Sequence, residues 1–230
     1  LNPVHRVGRQ LAEIFEIHFP KMTRAEVDKE CLELLQKVGI PSPEQRLKDY
    51  PHQLSGGMRQ RVVIAMALAC KPEILIADEP TTALDVTVQA QILQLIKDLQ
   101  VEYGMATIFI THDLGVIAEL CDRVVVMYGG MAVEQGDIFK LFANPSHPYT
   151  RGLLSSIPRM DTEPKSLLST IEGMVPSIQN MPKGCRFSNR CELKVEQCEQ
   201  KVPDLVNISQ GHSARCIFAK SENNTGTDNG

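Results

Sequence analysis

Two short apolar runs, separated by a helical pattern, are the strongest constraint on the fold of this chain. The runs are Ile74–Ala77 and Thr107–Thr111. Between them a helical segment ends at Gly104, and its apolar stripe is formed by Val88, Ile92, Leu95, Ile96 and Leu99. A strand, a helix and a second strand in this order predict two buried parallel strands in an α/β sheet, with ligands bound at the carboxyl ends of the strands.

Polar residues follow both predicted strands, where an α/β sheet places its ligands. Asp78 and Glu79 end the first run, and His112 ends the second. Two adjacent carboxylates at the end of a buried strand are costly unless they have a function. The alternatives are a solvated acidic turn before Pro80 and a structural or surface histidine at position 112.

A further candidate site precedes the first strand. Ser55, Gly56 and Gly57 come just before a predicted helix with apolar residues from Val62 to Leu68. A helix N-terminus offers unpaired N–H groups and a partial positive charge, the glycines allow a phosphate to approach, and the serine hydroxyl adds a donor. These residues predict an anion site, and the alternative is an ordinary serine cap with a glycine-rich turn.

Local signals mark the ends of several elements. Thr23–Glu26 is a capping box that predicts a helix start, and Ser42 with Pro43 predicts the start of a short second helix. Gly129-Gly130, between the strand-like segments Arg123–Tyr128 and Met131–Gln135, predicts a hairpin turn.

The sequence pattern divides the chain into five segments. In order they are a helical subdomain (1–50), an α/β core (51–140), a Pro-rich linker or extension (141–183), a Cys-rich module (184–219) and a disordered tail (220–230).

Composition excludes several classes of function. The net charge of -4 argues against binding to nucleic acid through a basic surface. No apolar run approaches the ~20 residues needed to span a bilayer. Seven cysteines, an odd number, argue against a disulfide framework and favour a reducing cytosol. Cys31, Cys70 and Cys121 lie in apolar segments and are expected in the core.

Four motifs resemble, in order and spacing, those of the ATP-binding cassette (ABC) ATPases that power membrane transport. They are Leu54–Arg61, Ile74–Pro80, Ala83–Asp85 and Thr111–His112. The resemblance implies a P-loop NTPase core in which residues 1–50 form the helical subdomain that touches a membrane-embedded partner.

The resemblance also implies a role for each candidate residue. In the signature motif, Ser55, Gly56 and Gly57 would contact the γ-phosphate of ATP bound on the opposite subunit. Asp78 would hold Mg²⁺, and Glu79 would polarise the attacking water as general base. His112 would be the switch residue that contacts the γ-phosphate. Asp85 would both cap a helix and lie at the subunit interface.

A finer resemblance covers nearly the whole chain. Ser55–Val62, Thr81–Gln89 and Pro145–Thr150 are similar to the ATPase subunits of bacterial dipeptide and oligopeptide importers, with nickel importers as close relatives. This family implies a sister ATPase subunit, membrane permease subunits and, indirectly, an external peptide-binding protein as partners. It also implies a peripheral location on the cytoplasmic face of the bacterial membrane.

The 230 residues contain no G-x-x-x-x-G-K-[ST] phosphate loop, and Leu1–Pro3 resembles the segment that follows the Q-loop in this family. The chain therefore resembles the C-terminal two-thirds of such an ATPase, and we expect no ATP hydrolysis by this chain alone. The alternatives are a non-catalytic split-gene product or remnant that only binds partner subunits, and a soluble ABC ATPase acting in repair or translation.

Four cysteines in the tail form a separate candidate site. Cys185, Cys191, Cys198 and Cys216 have a spacing looser than the usual zinc pairs and unlike the common ferredoxin runs. They match the Cys-rich extension of the same importer ATPases, which implies an iron–sulfur cluster with four irons. The alternatives are a zinc site and four unrelated thiols. His212, near Cys216, is expected at the surface rather than as a ligand.

Overall fold

The computed structural model describes residues 1–157 and 170–219, which belong to two compact units. The first unit is Leu1–His112 and the second begins at Asp113. The predicted disordered tail, 220–230, and residues 158–169 of the predicted linker lie outside the described residues. The five-segment division drawn from the sequence stays a prediction.

The first unit is mainly helical around one apolar core. The core draws on residues from all four of its long helices and on Leu75, and Leu11, Leu35, Val62 and Ile92 are fully buried. The helices are α1 Val7–His18, α2 Arg24–Lys37, the short α3 Pro43–Arg46, α4 Gly56–Leu68 and α5 Val86–Tyr103, with a 3₁₀ turn at Pro51–Gln53.

The start of α2 confirms the predicted capping box. The amide of Glu26 donates to Oγ1 of Thr23 at 3.3 Å, and the amide of Thr23 donates to Oε2 of Glu26 at 2.6 Å. Two amides that the helix itself leaves unpaired are thereby satisfied. At the other end of the unit, α5 ends at Gly104 in the left-handed conformation, as the sequence predicted.

Two parallel strands complete the first unit, and their pairing confirms the predicted strand–helix–strand order. β1 Ile74–Asp78 pairs with β2 Ala106–Ile110 in a continuous register that ends with Asp78 opposite Ile110. The expectation of two buried strands is wrong for both. In β1, Leu75 and Ala77 are buried, whereas Ile74 is 58% exposed and Ile76 is 64% exposed, and no residue of β2 is buried. The helices of this unit cover only the face that carries Leu75.

The second unit is built on an antiparallel sheet of Arg123–Tyr128 (β3), Met131–Asp137 (β4), His212–Ala214 (β6) and Val206–Ser209 (β5), in that spatial order. β3 Arg123–Tyr128 and β4 Met131–Asp137 form the predicted hairpin, in which both turn glycines have positive φ, 56° at Gly129 and 77° at Gly130. β5 Val206–Ser209 and β6 His212–Ala214 were not predicted from the sequence; β6 pairs with β4 and joins the Cys-rich region to the hairpin.

The described part of the second unit contains four helices. One of them, α8, lies wholly in the segment predicted as a linker, and α7 runs from the predicted core into it. The core contains Val124, Val126, Tyr128 and Phe187, among others. The helices are α6 Leu114–Leu120, α7 Ile138–Ala143, α8 Pro148–Ser155 and α9 Gln197–Gln200. Within the two described ranges, no helix combines the length and apolar character that crossing a membrane requires.

Two single-residue expectations are wrong. Cys70 is exposed, because it follows the last turn of α4 rather than lying on its buried face. His212 is only 3% exposed, because β6 places it against the buried carboxylate of Glu134, with Nε2 of His212 at 2.8 Å from Oε1 of Glu134. Cys31 is buried, as expected.

We expect Thr23→Ala to destabilise the first unit by about 1 kcal/mol, the usual loss for an N-cap side chain. Thr23→Ser keeps a hydroxyl at the same position and should lie close to the parent protein. Urea unfolding followed by circular dichroism at 222 nm measures both changes. Equal stabilities for Thr23→Ala and Thr23→Ser would contradict a stabilising role for this cap.

Candidate functional site

The start of α4 is shaped by close packing against α5. Ser55 caps α4, with its Oγ accepting from the amide of Met58 at 3.3 Å. A Cβ on Gly57 would lie 2.6 Å from Cγ1 of Val88, so a side chain at position 57 would collide with α5. The sequence interpretation gave Gly57 only a phosphate-binding role, and the structure adds this packing role.

The loop before α5 lies beside the start of α4. Oδ1 of Asp85 accepts from the amide of Val88 at 2.9 Å, which confirms that Asp85 caps α5. A Cβ on Gly56 would lie 3.4 Å from Cδ2 of Leu84, in ordinary contact. The signature residues and Asp85 therefore occupy one region of the first unit, although Gly57 and Asp85 are 28 positions apart in the sequence. The role of Asp85 at a subunit interface stays a prediction.

The chain turns sharply where β1 ends at Asp78. Glu79 has a positive φ of 44°, a backbone region that residues other than glycine rarely adopt. Its amide donates to the carbonyl of Ile110 at 2.8 Å and so continues the pairing of β1 with β2 by one bond. Such local strain is common at functional sites. The side chains of Asp78 and Glu79 lie at the exposed edge of the sheet.

Two side chains hold the carboxylate of Glu79. Oγ1 of Thr82 donates to Oε2 at 2.8 Å, and Nδ1 of His112 lies 3.2 Å from Oε1. The hydrogen bond from Thr82, and then that from His112, lowers the pKa of Glu79 below its usual value. The carboxylate is therefore ionised at neutral pH, which is the form that a general base requires.

His112 reaches Glu79 because both follow the paired strands. Its side chain is 83% exposed, and its contact with Glu79 orients the ring. The structure thus brings together the two residues predicted as base and switch. Thr82 was missed by the sequence interpretation; its position three residues after Glu79, inside a tight turn, is the signal that could have indicated it.

In the second unit the four tail cysteines line one pocket. Cys198 is buried and the other three are half-buried. The amide of Cys185 donates to the carbonyl of Cys198 at 2.7 Å, which joins the loop before Cys185 to α9. Gly184 allows this approach, because a Cβ at position 184 would collide with the same carbonyl oxygen.

Burial raises the pKa of the thiols of Cys185, Cys191 and Cys216, so these thiols are protonated at neutral pH in the metal-free protein. Backbone amides two residues further on oppose this effect, because a nearby N–H favours the charged thiolate and so lowers the pKa. They are the amides of Phe187 for Cys185, Leu193 for Cys191 and Phe218 for Cys216.

The described side chains contain no group of three or more His, Cys, Asp or Glu residues placed to hold a metal ion. The four sulfurs share a pocket without forming a ligand set in their present orientations. The iron–sulfur cluster implied by the sequence resemblance stays a prediction.

Two polar side chains that the sequence interpretation missed also line this pocket, His147 and Ser188. His147 is 1% exposed, and its Nδ1 accepts from the amide of Tyr149 at 3.1 Å at the start of α8. Burial lowers the pKa of His147 to about 4, so its ring is neutral at pH 7. The sequence of Pro145–Thr150 indicates a family resemblance but no role for the His147 side chain.

A buried carboxylate positions His147. Glu134 on β4 accepts from the amide of Ser146 at 2.7 Å and from the amide of His147 at 2.9 Å, besides its contact with His212. These partners satisfy a carboxylate that has no exposure to solvent. The turn before α8 is thereby fixed to the sheet that carries β6.

Comparison with known families gives two matches along the chain. Residues 2–82 match the family described as "ABC transporter", and residues 133–198 match "Oligopeptide/dipeptide transporter, C-terminal region".

Individual relatives agree with these families. The chain is 56% identical over 216 residues to the "Probable peptide ABC transporter ATP-binding protein y4tR" of Sinorhizobium fredii, covering 94% of this chain and 64% of that protein. It is 50% identical over 222 residues to the "Oligopeptide transport ATP-binding protein AppD" of Bacillus subtilis, covering 96% of this chain and 67% of that protein.

A solved structure shares the fold. It is described as "Dimeric structure of a post-hydrolysis state of the ATP-binding cassette MJ0796 bound to ADP and Pi", with a TM-score of 0.53 and 32% identity. The match covers 60% of this chain and 59% of that chain. The α/β fold of this protein is that of the ABC ATPases.

The fold, the order of the motifs and these matches define an ABC transporter ATP-binding protein. Within that class, the chain belongs to the peptide and oligopeptide importer family. It spans 64% of the length of the first relative above, and the activity, substrates and partners of a complete relative are therefore proposals for this chain.

We expect Thr82→Val to raise the pKa of Glu79 toward its usual value. The substitution keeps the shape of the side chain but removes the hydroxyl, whose hydrogen bond stabilises the charged carboxylate. Carbon-13 NMR titration of the Glu79 carboxyl measures the change. Thr81→Val, one residue earlier, is the matched control and should leave that pKa unchanged, whereas equal titration curves for parent and Thr82→Val would contradict the role of Thr82.

Proposed function

We propose that this chain supplies the signature motif, the Walker B carboxylates and the switch histidine of an ATPase that drives peptide import. The observation that carries the proposal is the contact between Glu79 and His112 at the carboxyl ends of paired parallel strands. Peptide is the proposed cargo because y4tR and AppD are both described as peptide or oligopeptide transport proteins.

The residues at this edge of the sheet have separable roles. Asp78 is an exposed carboxylate that suits Mg²⁺, and the metal would neutralise charge on the phosphate oxygens of ATP. Glu79 is ionised and positioned by two donors, so it orients the attacking water and accepts its proton. His112 is free to turn from Glu79 toward a γ-phosphate, because most of its side chain is exposed.

The proposed partners follow from where the signature residues lie. Ser55, Gly56 and Gly57 are at the N-terminus of α4 rather than beside Glu79, which suits contact with ATP held by a sister subunit. The dimeric cassette structure that resembles this chain supports such pairing. A permease and, indirectly, an external peptide-binding protein complete the proposed importer, with this chain at the cytoplasmic face of the membrane.

A second candidate function is a non-catalytic role in which the chain binds partner subunits and presents its signature motif to them. The position of Ser55, Gly56 and Gly57 at the start of α4, apart from Glu79, suits contact with a partner subunit in this role as well. ATPase activity that depends on Glu79 in the assembled transporter separates the two candidates.

In the transporter assembled with this chain, we expect Glu79→Gln to lower ATP hydrolysis about 10²–10⁴-fold, the usual contribution of a general base. Binding of ATP should persist, because glutamine keeps the size and hydrogen-bonding capacity of the side chain. Glu73→Gln, an exposed position just before β1, is the matched control and should retain the parent rate. Hydrolysis within threefold of the parent in Glu79→Gln would exclude Glu79 as the base.

We also propose that Cys185, Cys191, Cys198 and Cys216 hold an iron–sulfur cluster with four irons. The four thiols line one pocket, and cysteine thiolates are the usual ligands of such clusters. Phe187, Ile217 and Phe218 provide apolar walls, which limit access of water. A bound cluster would link the strands and loops of a module that has a small core.

Anaerobically purified protein should be brown and contain about four iron and four sulfide per chain. Cys191→Ser should lose most of this colour, because it removes one thiolate ligand, and the Cys-rich region should become sensitive to protease. Cys70→Ser, at an exposed cysteine of the other unit, is the control and should keep full iron and sulfide content. Stoichiometric zinc without sulfide would contradict the iron–sulfur assignment in favour of a zinc site.

A further inference from the structure

Ser188 lines the four-cysteine pocket and carries a buried hydroxyl. The residue is 1% exposed and lies in a 3₁₀ turn, Ser188–Arg190, between Cys185 and Cys191. Its Oγ has no hydrogen-bond partner among the described residues, although its backbone amide and carbonyl are both paired in this turn. A buried hydroxyl without a partner is costly, and native proteins seldom keep one.

His147 presents a second donor to the same pocket. Its Nδ1 accepts from the amide of Tyr149, and this hydrogen bond places the ring proton of the neutral side chain on Nε2. The backbone of His147 is fixed by Glu134, so the ring is held against the pocket by two independent hydrogen bonds.

The pocket limits what these donors can meet. Apart from His147 and Ser188, the side chains that line it are the four thiols and apolar groups. Sulfur is therefore the hydrogen-bond acceptor that the other side chains of the pocket can offer. A thiolate or sulfide sulfur accepts a hydrogen bond far better than a protonated thiol does.

We propose that the Ser188 hydroxyl and the His147 Nε2–H donate hydrogen bonds to the sulfur atoms of the metal centre held in this pocket, and that they set its reduction potential and its resistance to loss. These roles rest on the cluster proposed for the four cysteines. Ser188 and His147 are positioning residues, since neither is a ligand of the metal. Hydrogen bonds to sulfur stabilise the more negatively charged, reduced cluster and so raise its reduction potential.

The test compares Ser188→Ala with Thr150→Val in the anaerobically purified chain. Thr150 is the matched control, because its hydroxyl is also buried without a partner in the second unit but does not line the pocket. We expect Ser188→Ala to keep the iron and sulfide content of the parent. Its reduction potential should be more negative, and its visible absorption should bleach roughly 10- to 150-fold faster under air, the effect of losing one hydrogen bond to a charged acceptor.

Two substitutions separate the functions of His147. His147→Asn keeps an acceptor that can cap α8 but removes the donor at Nε2, and it should shift the potential as Ser188→Ala does. His147→Gln places an amide donor near the position of Nε2, and it should remain closer to the parent in potential. Thermal unfolding of each variant identifies any that fail to fold, and the other substitutions then decide the test.

The outcomes distinguish this proposal from the cluster on which it rests. A parent protein without iron and sulfide would overturn both. A different result is a parent that contains the cluster while Ser188→Ala and His147→Asn show the same reduction potential and bleaching rate as the parent. That result would overturn the hydrogen-bonding roles alone. Equal shifts in Ser188→Ala and Thr150→Val would also overturn them, because the effect would then not depend on the pocket.

Discussion

The parallel pairing of β1 with β2 is the constraint on which the candidate site of the first unit depends. The register runs from Ile74 opposite Ala106 to Asp78 opposite Ile110, and the amide of Glu79 adds a further bond to the carbonyl of Ile110. A slip of one residue would send the side chains to the other face of the sheet and separate Glu79 from His112. Leu75 opposes such a slip, because it is the residue of β1 that packs into the helical core.

The second unit depends on one buried carboxylate in a similar way. Glu134 accepts hydrogen bonds from the turn before α8 and contacts His212 on β6. Cys216 follows β6 by two residues, and His147 lies in the turn, so two sides of the cysteine pocket are positioned by the same side chain. Removing Glu134 would leave two amides and a histidine unpaired in the interior, where each such loss is costly.

Features that depend on a few neighbouring residues were predicted correctly from the sequence. The capping box at Thr23, the end of α5 at Gly104 and the hairpin turn at Gly129 each follow from local backbone chemistry. The meeting of Glu79 and His112 was also predictable, because parallel strands bring their carboxyl ends to one edge of a sheet.

Features that depend on distant partners were not predictable from the same patterns. β5 and β6 are short and carry polar residues, so only their pairing with β4 defines them as strands. The burial of His212 and the position of Ser188 depend on the same long-range packing. The exposed face of β1 was missed because an apolar run does not reveal how many of its faces are covered.

The absence of a side chain at Gly57 has a mechanical consequence. With no Cβ between them, the first turn of α4 and the first turn of α5 are in direct contact at Val88, one helical turn from the capping residue Asp85. A close-packed contact of this kind transmits displacement with little give. If a bound phosphate displaced the first turn of α4, the first turn of α5 and its capping residue Asp85 would therefore be displaced with it. The two helix N-termini would move together.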